Sequence, residues 1–261
     1  MLGNTGQHLF TPRGSRNPSV TEKDYSLLSE TVCPVTLLFG YSVTLFFAMH
    51  LLPFSPSALA EALAILRQGG VVAHATETCY GLACDLGNPH AVATLFAIKQ
   101  RPATQPVSAL FASVKQAEQY VQWNEHAEEL VARHLPGPLT LILPLRIDAP
   151  LALHPIPQTD KRTNEITNQR TTTLGVRVSS HPHAQSLVEA YGRPISTTSA
   201  NLHGLANTYC VEDILAQFAD RSAQPDLILD GGLLPPVPPS TIVDVTREEN
   251  RIVREGRRER K

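Results

Sequence analysis

From Ser55 onward, short apolar runs alternate with capped amphipathic segments, and this alternation restricts the chain to an α/β layer architecture. Ser55-Pro56 opens a helix whose inner face carries Leu59, Ala62, Leu63 and Leu66, and Gly69-Gly70 stops it. Residues 71–75 then read as an apolar strand and 76–82 as a loop. Asn88-Pro89 starts a second helix with Val92, Leu95, Phe96 and Ile98 inward and Lys99 at its C-terminal end. Residues 107–112 read as a strand, and Ser113 with Gln116 as the capping box of a helix. A helix over 124–133 ends before Pro136-Gly137-Pro138, and 139–145 is a buried strand. The polar, Thr-rich stretch 146–173 reads as an exposed loop. A strand at 174–178, a helix at 181–191 and a short strand at 195–198 follow. Strand candidates at 226–229, 241–245 and 251–254 close the pattern and favour a mixed sheet over a purely parallel one.

The length of 261 residues allows one large domain or two small ones. A formal net charge of -2 argues against a chain that holds nucleic acid by bulk charge. Residues 31–60 carry no charged side chain, but Pro34, Gly40 and Ser42 interrupt the run, so it makes a poor membrane span. About thirty residues precede it, too many for the n-region of a signal peptide. Residues 1–48 are therefore read as an N-terminal extension, disordered or not translated. Met49 is then the start of a catalytic domain over 49–261. Cys33, Cys79, Cys84 and Cys210 lack zinc-ligand spacing and read as free thiols of a reducing, cytoplasmic compartment.

The residues with chemistry in them sit just past the predicted strands. Lys99 and Arg101 offer a point charge and a planar fork, and on an extended segment both would face one side. Ser199 and Asn201 follow another strand end and offer neutral donors. Each pair taken alone also fits an ordinary solvated surface or a turn. Arg177, between Val176 and Val178, either faces solvent from an edge strand or is buried and needs an anionic partner. There is no Gly-x-x-x-x-Gly-Lys-Ser/Thr loop, no Gly-x-Gly-x-x-Gly and no Gly-x-Ser-x-Gly. The ten histidines are scattered, and His181 and His183 have no metal-site setting. What is left is equipment for holding a polyanion, with no evident acid, base or nucleophile.

Seven ordered motifs carry a resemblance over about residues 51–256. They are Thr76-Glu77-Thr78-x-Tyr80-Gly81-Leu82, Lys99-x-Arg101-Pro102, Pro136-Gly137-Pro138-Leu139-Thr140 and Gly175-Val176-Arg177-Val178. Ser199-Ala200-Asn201 with Gly204, Pro239-Ser240-Thr241-x-Val243-Asp244 and Arg254-x-Gly256 complete the set. In this order they resemble the YrdC/TsaC family of threonylcarbamoyl-adenylate synthases, in its short single-domain form. The resemblance implies a twisted, mostly mixed β-sheet with flanking helices and a positively charged concave cleft. It implies synthesis of threonylcarbamoyl-AMP from L-threonine, bicarbonate and ATP with release of pyrophosphate, for the threonylcarbamoyladenosine modification of tRNA next to the anticodon.

The resemblance assigns Lys99, Arg101, Ser199 and Asn201 to the triphosphate as the catalytic set. Arg254, Thr173 and Asn207 fall to the nucleotide, and Thr76, Arg177, Thr197 and Ser240 to threonine. Magnesium is expected to arrive with ATP, with no protein side chain assigned to it. Partner proteins would pass the product to tRNA. Ala75 and Ser179 stand where the family usually has Pro, His203 where Ser is common, and Ala109 where some relatives carry a threonine-contacting His. These departures bear on the shape of the threonine pocket. Two other readings compete: an RNA-binding or ribosome-maturation module of the same fold, and a paralogue with another carbamoyl acceptor. The Arg-rich segment 247–261, interleaved with Glu, would offer only a weak tRNA contact.

Overall fold

A computed structural model of the chain describes residues 49–102, 104–155, 173–247 and 249–256. The reading of 1–48 as an extension and the middle of the 146–173 loop lie outside these residues. All the described residues fall within one compact unit, Leu45–Lys261.

Ten strands among the described residues form one sheet: β1 His50–Pro53, β2 Val72–Ala75, β3 Tyr80–Ala83, β4 Ser108–Leu110, β5 Leu139–Pro144, β6 Thr173–Arg177, β7 Ile195–Ser199, β8 Leu227–Asp230, β9 Thr241–Asp244 and β10 Arg251–Arg254. Their order across the sheet is β1-β8-β2-β3-β7-β4-β6-β5-β9-β10. The pairs β1/β8, β8/β2, β4/β6 and β5/β9 are parallel and the others antiparallel, so the sheet is mixed, as the late strand cluster suggests. Helices α1 Pro56–Arg67 and α5 Pro182–Tyr191 pack on one face with Val72, Leu110, Ile195, Leu227 and Leu229. Helices α2 Pro89–Lys99, α3 Val114–Ala117, α4 Glu125–His134 and α6 Val211–Phe218 cover the other face with Ala73, Leu82, Val176 and Ile228. Strand residues that alternate in sequence therefore feed two cores, one on each side of the sheet.

Local signals fix the helix starts. Ser55 accepts from the N–H of Ala58, Asn88 from those of His90 and Ala91, and Asn124 from that of Ala127, each satisfying donors of the first turn. Ser113 caps only a four-residue helix, and Gln116 reaches back to the N–H of Ala112 instead of that of Ser113. Three elements depart from the sequence reading. Tyr80–Ala83, which overlaps the end of the loop expected over 76–82, is a central strand, because its backbone pairs with β2 on one side and β7 on the other. Strand β1 and helix α6 have no sequence counterpart in the expected pattern; the N-cap of α6, Cys210, makes no side-chain capping bond.

Candidate active site

The strand ends of β2, β3, β6 and β7 meet residues from β9 and β10 around a cavity of about 190 Å³. Thr76 shapes one wall. Its hydroxyl donates to the carbonyl of Cys79 at 2.6 Å and accepts from the N–H groups of Thr78 and Cys79, which closes the β2–β3 turn. Thr197, Thr198 and Ser199 line it from the end of β7, where Ser199 pairs with Gly81. Ser240 enters just ahead of β9, with its hydroxyl 3.1 Å from that of Thr140. Asn207 also lines the space.

Three guanidinium groups line this one cavity: Arg101, Arg177 and Arg254. Arg177 is buried, and its Nη2 donates to Glu77 Oε1 at 2.7 Å and to Thr78 Oγ1 at 2.9 Å. Its Nε is buried without a hydrogen-bond partner among the described residues. The two orientations left open for Arg177 thus resolve to the buried one, with Glu77 as the anion. Burial works against the Glu77 charge, but Arg177 and the Ser179 hydroxyl outweigh it and hold the carboxyl below its usual range. Arg101 donates to the carbonyls of Gln105 (2.8 Å) and Pro106 (2.9 Å) and reaches Thr198 Oγ1 at 3.4 Å. Arg254 donates to the carbonyl and the hydroxyl of Ser240. Neither of these arginines finds a carboxylate through those bonds. Burial lowers both, with Arg254 acting on Arg101 and Arg177 acting on Arg254. Cations that lower one another in a shared cavity leave a positive field that an anion relieves.

Lys99 and Arg101 do not share an extended segment. Lys99 ends α2, and Gln100 takes a left-handed conformation (φ 52°) that turns the chain between them. Lys99 is buried outside the cavity lining. Its ammonium donates to the carbonyl of Ser199, and to the carbonyl (2.8 Å) and Oδ1 (3.1 Å) of Asn201. Burial first, and then Arg101, pull Lys99 down to about 7. Ser199 Oγ donates to Asn201 Oδ1 at 2.6 Å, and Asn201 is itself buried behind the wall. Of the four residues assigned to the triphosphate, Arg101 and Ser199 line the cavity, while Lys99 and Asn201 brace Ser199 from behind. Arg254 and Asn207 line it too, as do Thr76, Arg177, Thr197 and Ser240; Thr173, at the start of β6, does not.

Glu77 has no role in the sequence reading, although the need of Arg177 for an anion was a signal pointing toward it. Thr78, Cys79 and Ser108 also reach the cavity unannounced. Among the described residues, no group of three His, Cys, Asp or Glu side chains is placed to hold a metal ion. No described helix is long and apolar enough to cross a membrane.

A sequence model of the Sua5/YciO/YrdC family, described as "Telomere recombination", matches residues 64–256. The threonylcarbamoyl-AMP synthase of Yersinia pestis (strain Pestoides F) is 36% identical over 163 residues, 61% of this chain and 78% of that protein. The P. abyssi Sua5 structure complexed with L-threonine superposes with a TM-score of 0.66 at 30% identity, covering 80% of this chain and 57% of that one. This chain thus spans less than two thirds of the P. abyssi protein. E. coli YciO gives a TM-score of 0.64 at 28% identity, covering 82% of this chain and 97% of that one.

Proposed function

Given that the chain belongs to the Sua5/YciO/YrdC family, whose relatives are named threonylcarbamoyl-AMP synthases, we propose that it is a nucleotidyltransferase that makes threonylcarbamoyl-AMP. The substrates are L-threonine, bicarbonate and ATP, pyrophosphate leaves, and the product serves threonylcarbamoyladenosine formation in tRNA. The observation that carries this reading is the convergence of Arg101, Arg177 and Arg254 on one small cavity.

The chemistry needs two anionic substrates held side by side. The amine of threonine adds to the carbon of bicarbonate-derived carbon dioxide and loses a proton, giving a carbamate. A carbamate oxygen attacks the α-phosphorus of ATP, and the bond to the β-phosphate oxygen breaks. The nucleophile comes from the substrate, so positioning and charge stabilisation are what the protein supplies. Arg177, already held by Glu77, faces the threonine carboxylate, with Thr76, Thr197 and Ser240 around it. Arg101 and Arg254 bear the phosphate charge, and Ser199 donates beside them, braced by Lys99 and Asn201. Magnesium would be carried by the phosphates, since the lining offers hydroxyls but no uncommitted carboxylate. Partner proteins then transfer the threonylcarbamoyl group to tRNA.

The test is pyrophosphate release from ATP, assayed with threonine and bicarbonate present or omitted in turn. Release that requires both, with a threonylcarbamoyl adduct of AMP seen by mass spectrometry, is expected. Release independent of threonine would sink the assignment.

A further inference from the structure

Ser179 is fully buried two residues beyond Arg177. Its hydroxyl donates to Glu77 Oε2 and accepts from the backbone N–H of His181, the N-cap of α5, at 3.1 Å. Glu77 Oε1 accepts from Arg177 Nη2 at 2.7 Å. The two oxygens of one carboxylate therefore have separate duties, one toward α5 and one toward the cavity wall. Because the terminal torsion of Glu is soft, a carboxylate held at one oxygen only can swing. Held at both, it offers Arg177 Nη2 an acceptor of fixed position, and with Thr78 Oγ1 as the second acceptor the plane of the guanidinium is set. The same Nη2 also donates to Thr78 Oγ1 at 2.9 Å, so the guanidinium and the Thr76–Cys79 turn keep a common orientation.

We propose that Ser179 is a positioning residue for the amino-acid subsite: through Glu77 it sets the plane of Arg177, against which the carboxylate of an α-amino acid docks. The proposal rests on the threonine reading of the cavity. It assigns a specific role to a hydroxyl that never touches substrate. Without it, Glu77 Oε2 loses its side-chain donor, and the pair with Arg177 loses an anchor.

The experiment compares wild type, Ser179→Ala and Ser179→Thr by two readouts. The first is the steady-state pyrophosphate assay. Ser179→Ala should raise the KM for threonine about tenfold, roughly the worth of one hydrogen bond to a charged group, with the KM for ATP nearly unmoved. Ser179→Thr, which keeps a hydroxyl, should restore it. The second is the arginine side-chain Nε–H spectrum of the ¹⁵N-labelled protein without substrate. The Arg177 signal should shift and exchange faster with water in Ser179→Ala, while those of Arg101 and Arg254 stay in place. An unchanged Arg177 signal in a folded Ser179→Ala protein overturns the relay whatever the kinetics show. A shifted signal with unaltered threonine KM overturns its link to the carboxylate. If wild type shows no threonine-dependent turnover, the functional reading fails, and the spectrum still decides the relay.

Discussion

The ammonium of Lys99 donates to both the backbone carbonyl and the side-chain oxygen of Asn201, tying the last residue of α2 to the chain just beyond β7. Together with the bond to the carbonyl of Ser199, this fixes a wall of the cavity from behind.

Replacing Lys99 by Met should therefore cost stability as well as activity. Three oxygens lose the ammonium; the carbonyl of Ser199 keeps the N–H of Asn201 and Asn201 Oδ1 keeps the Ser199 hydroxyl, so the loss of about 1–3 kcal/mol expected here comes mainly from the buried carbonyl of Asn201. Urea unfolding measures it, alongside pyrophosphate release. Wild-type stability with abolished turnover would place the lysine on the substrate instead. The Nζ resonance should titrate near 7 rather than at 10.5, since burial penalises the charge.

Glu77→Gln should destabilise the fold by about 3–5 kcal/mol at neutral pH, because Arg177 is left as a buried charge without its counter-ion. The folded carboxyl lies below its usual 4.5, so its contribution is present above that value and is lost as pH falls through the lower folded one. The gap between wild type and Glu77→Gln should thus be constant above about pH 5 and narrow in more acidic buffer. A gap independent of pH down to complete acid unfolding would contradict the ion pair.

ATP should stabilise the protein by relieving the repulsion among the three guanidinium groups. At a hundredfold excess over Kd the gain is about 2.7 kcal/mol, a rise in Tm of roughly 5–10 °C for a domain of this size. Arg101→Ala should lose most of that rise, and added salt should shrink it in wild type. Differential scanning fluorimetry reads both. An undiminished ATP shift in Arg101→Ala would remove this residue from the nucleotide.

Gly256→Ala should weaken ATP binding without touching a substrate contact. A Cβ at 256 would lie 1.9 Å from the carbonyl oxygen of Pro239 and 2.6 Å from the carbonyl carbon of Ser240, so the backbone must part there. Arg254 donates to Ser240, and the N–H of Gly256 donates to Thr241 Oγ1, so the displacement reaches the cavity. A fall in ATP affinity of about tenfold is expected, in line with an overpacking cost of 1–3 kcal/mol. Isothermal titration calorimetry measures it, and unchanged affinity would argue against the coupling.

The parts of this fold that the sequence announces are those set by neighbouring residues. Ser55-Pro56 and Asn88-Pro89 mark helix starts because cap and first turn lie within four residues of each other. Tyr80–Ala83 gives no such signal: all four residues are buried, so polar alternation is absent, and the strand exists through partners such as Ser199, far along the chain. The site divides the same way. Thr76, Arg101, Arg177, Ser240 and Arg254, taken from separate motifs, line one cavity. The turn between Lys99 and Arg101 depends on one backbone angle at Gln100, and the pairing of Glu77 with Arg177 on the sheet order that brings the β2–β3 turn to the end of β6; neither is written in local spacing.

Strand β10 joins only the outer side of β9, and the register shift between Ile252 and Arg254 helps aim the last guanidinium at the cavity. A ribosome delivers Thr76 early and Arg254 nearly 180 residues later. At the ~5–20 residues per second of translation, an emerging chain spends about 10–35 seconds with its anion site lacking a wall. Nucleotide has no finished seat on the nascent protein, so any stabilisation by ATP acts on completed chains and gives no help to those still being made.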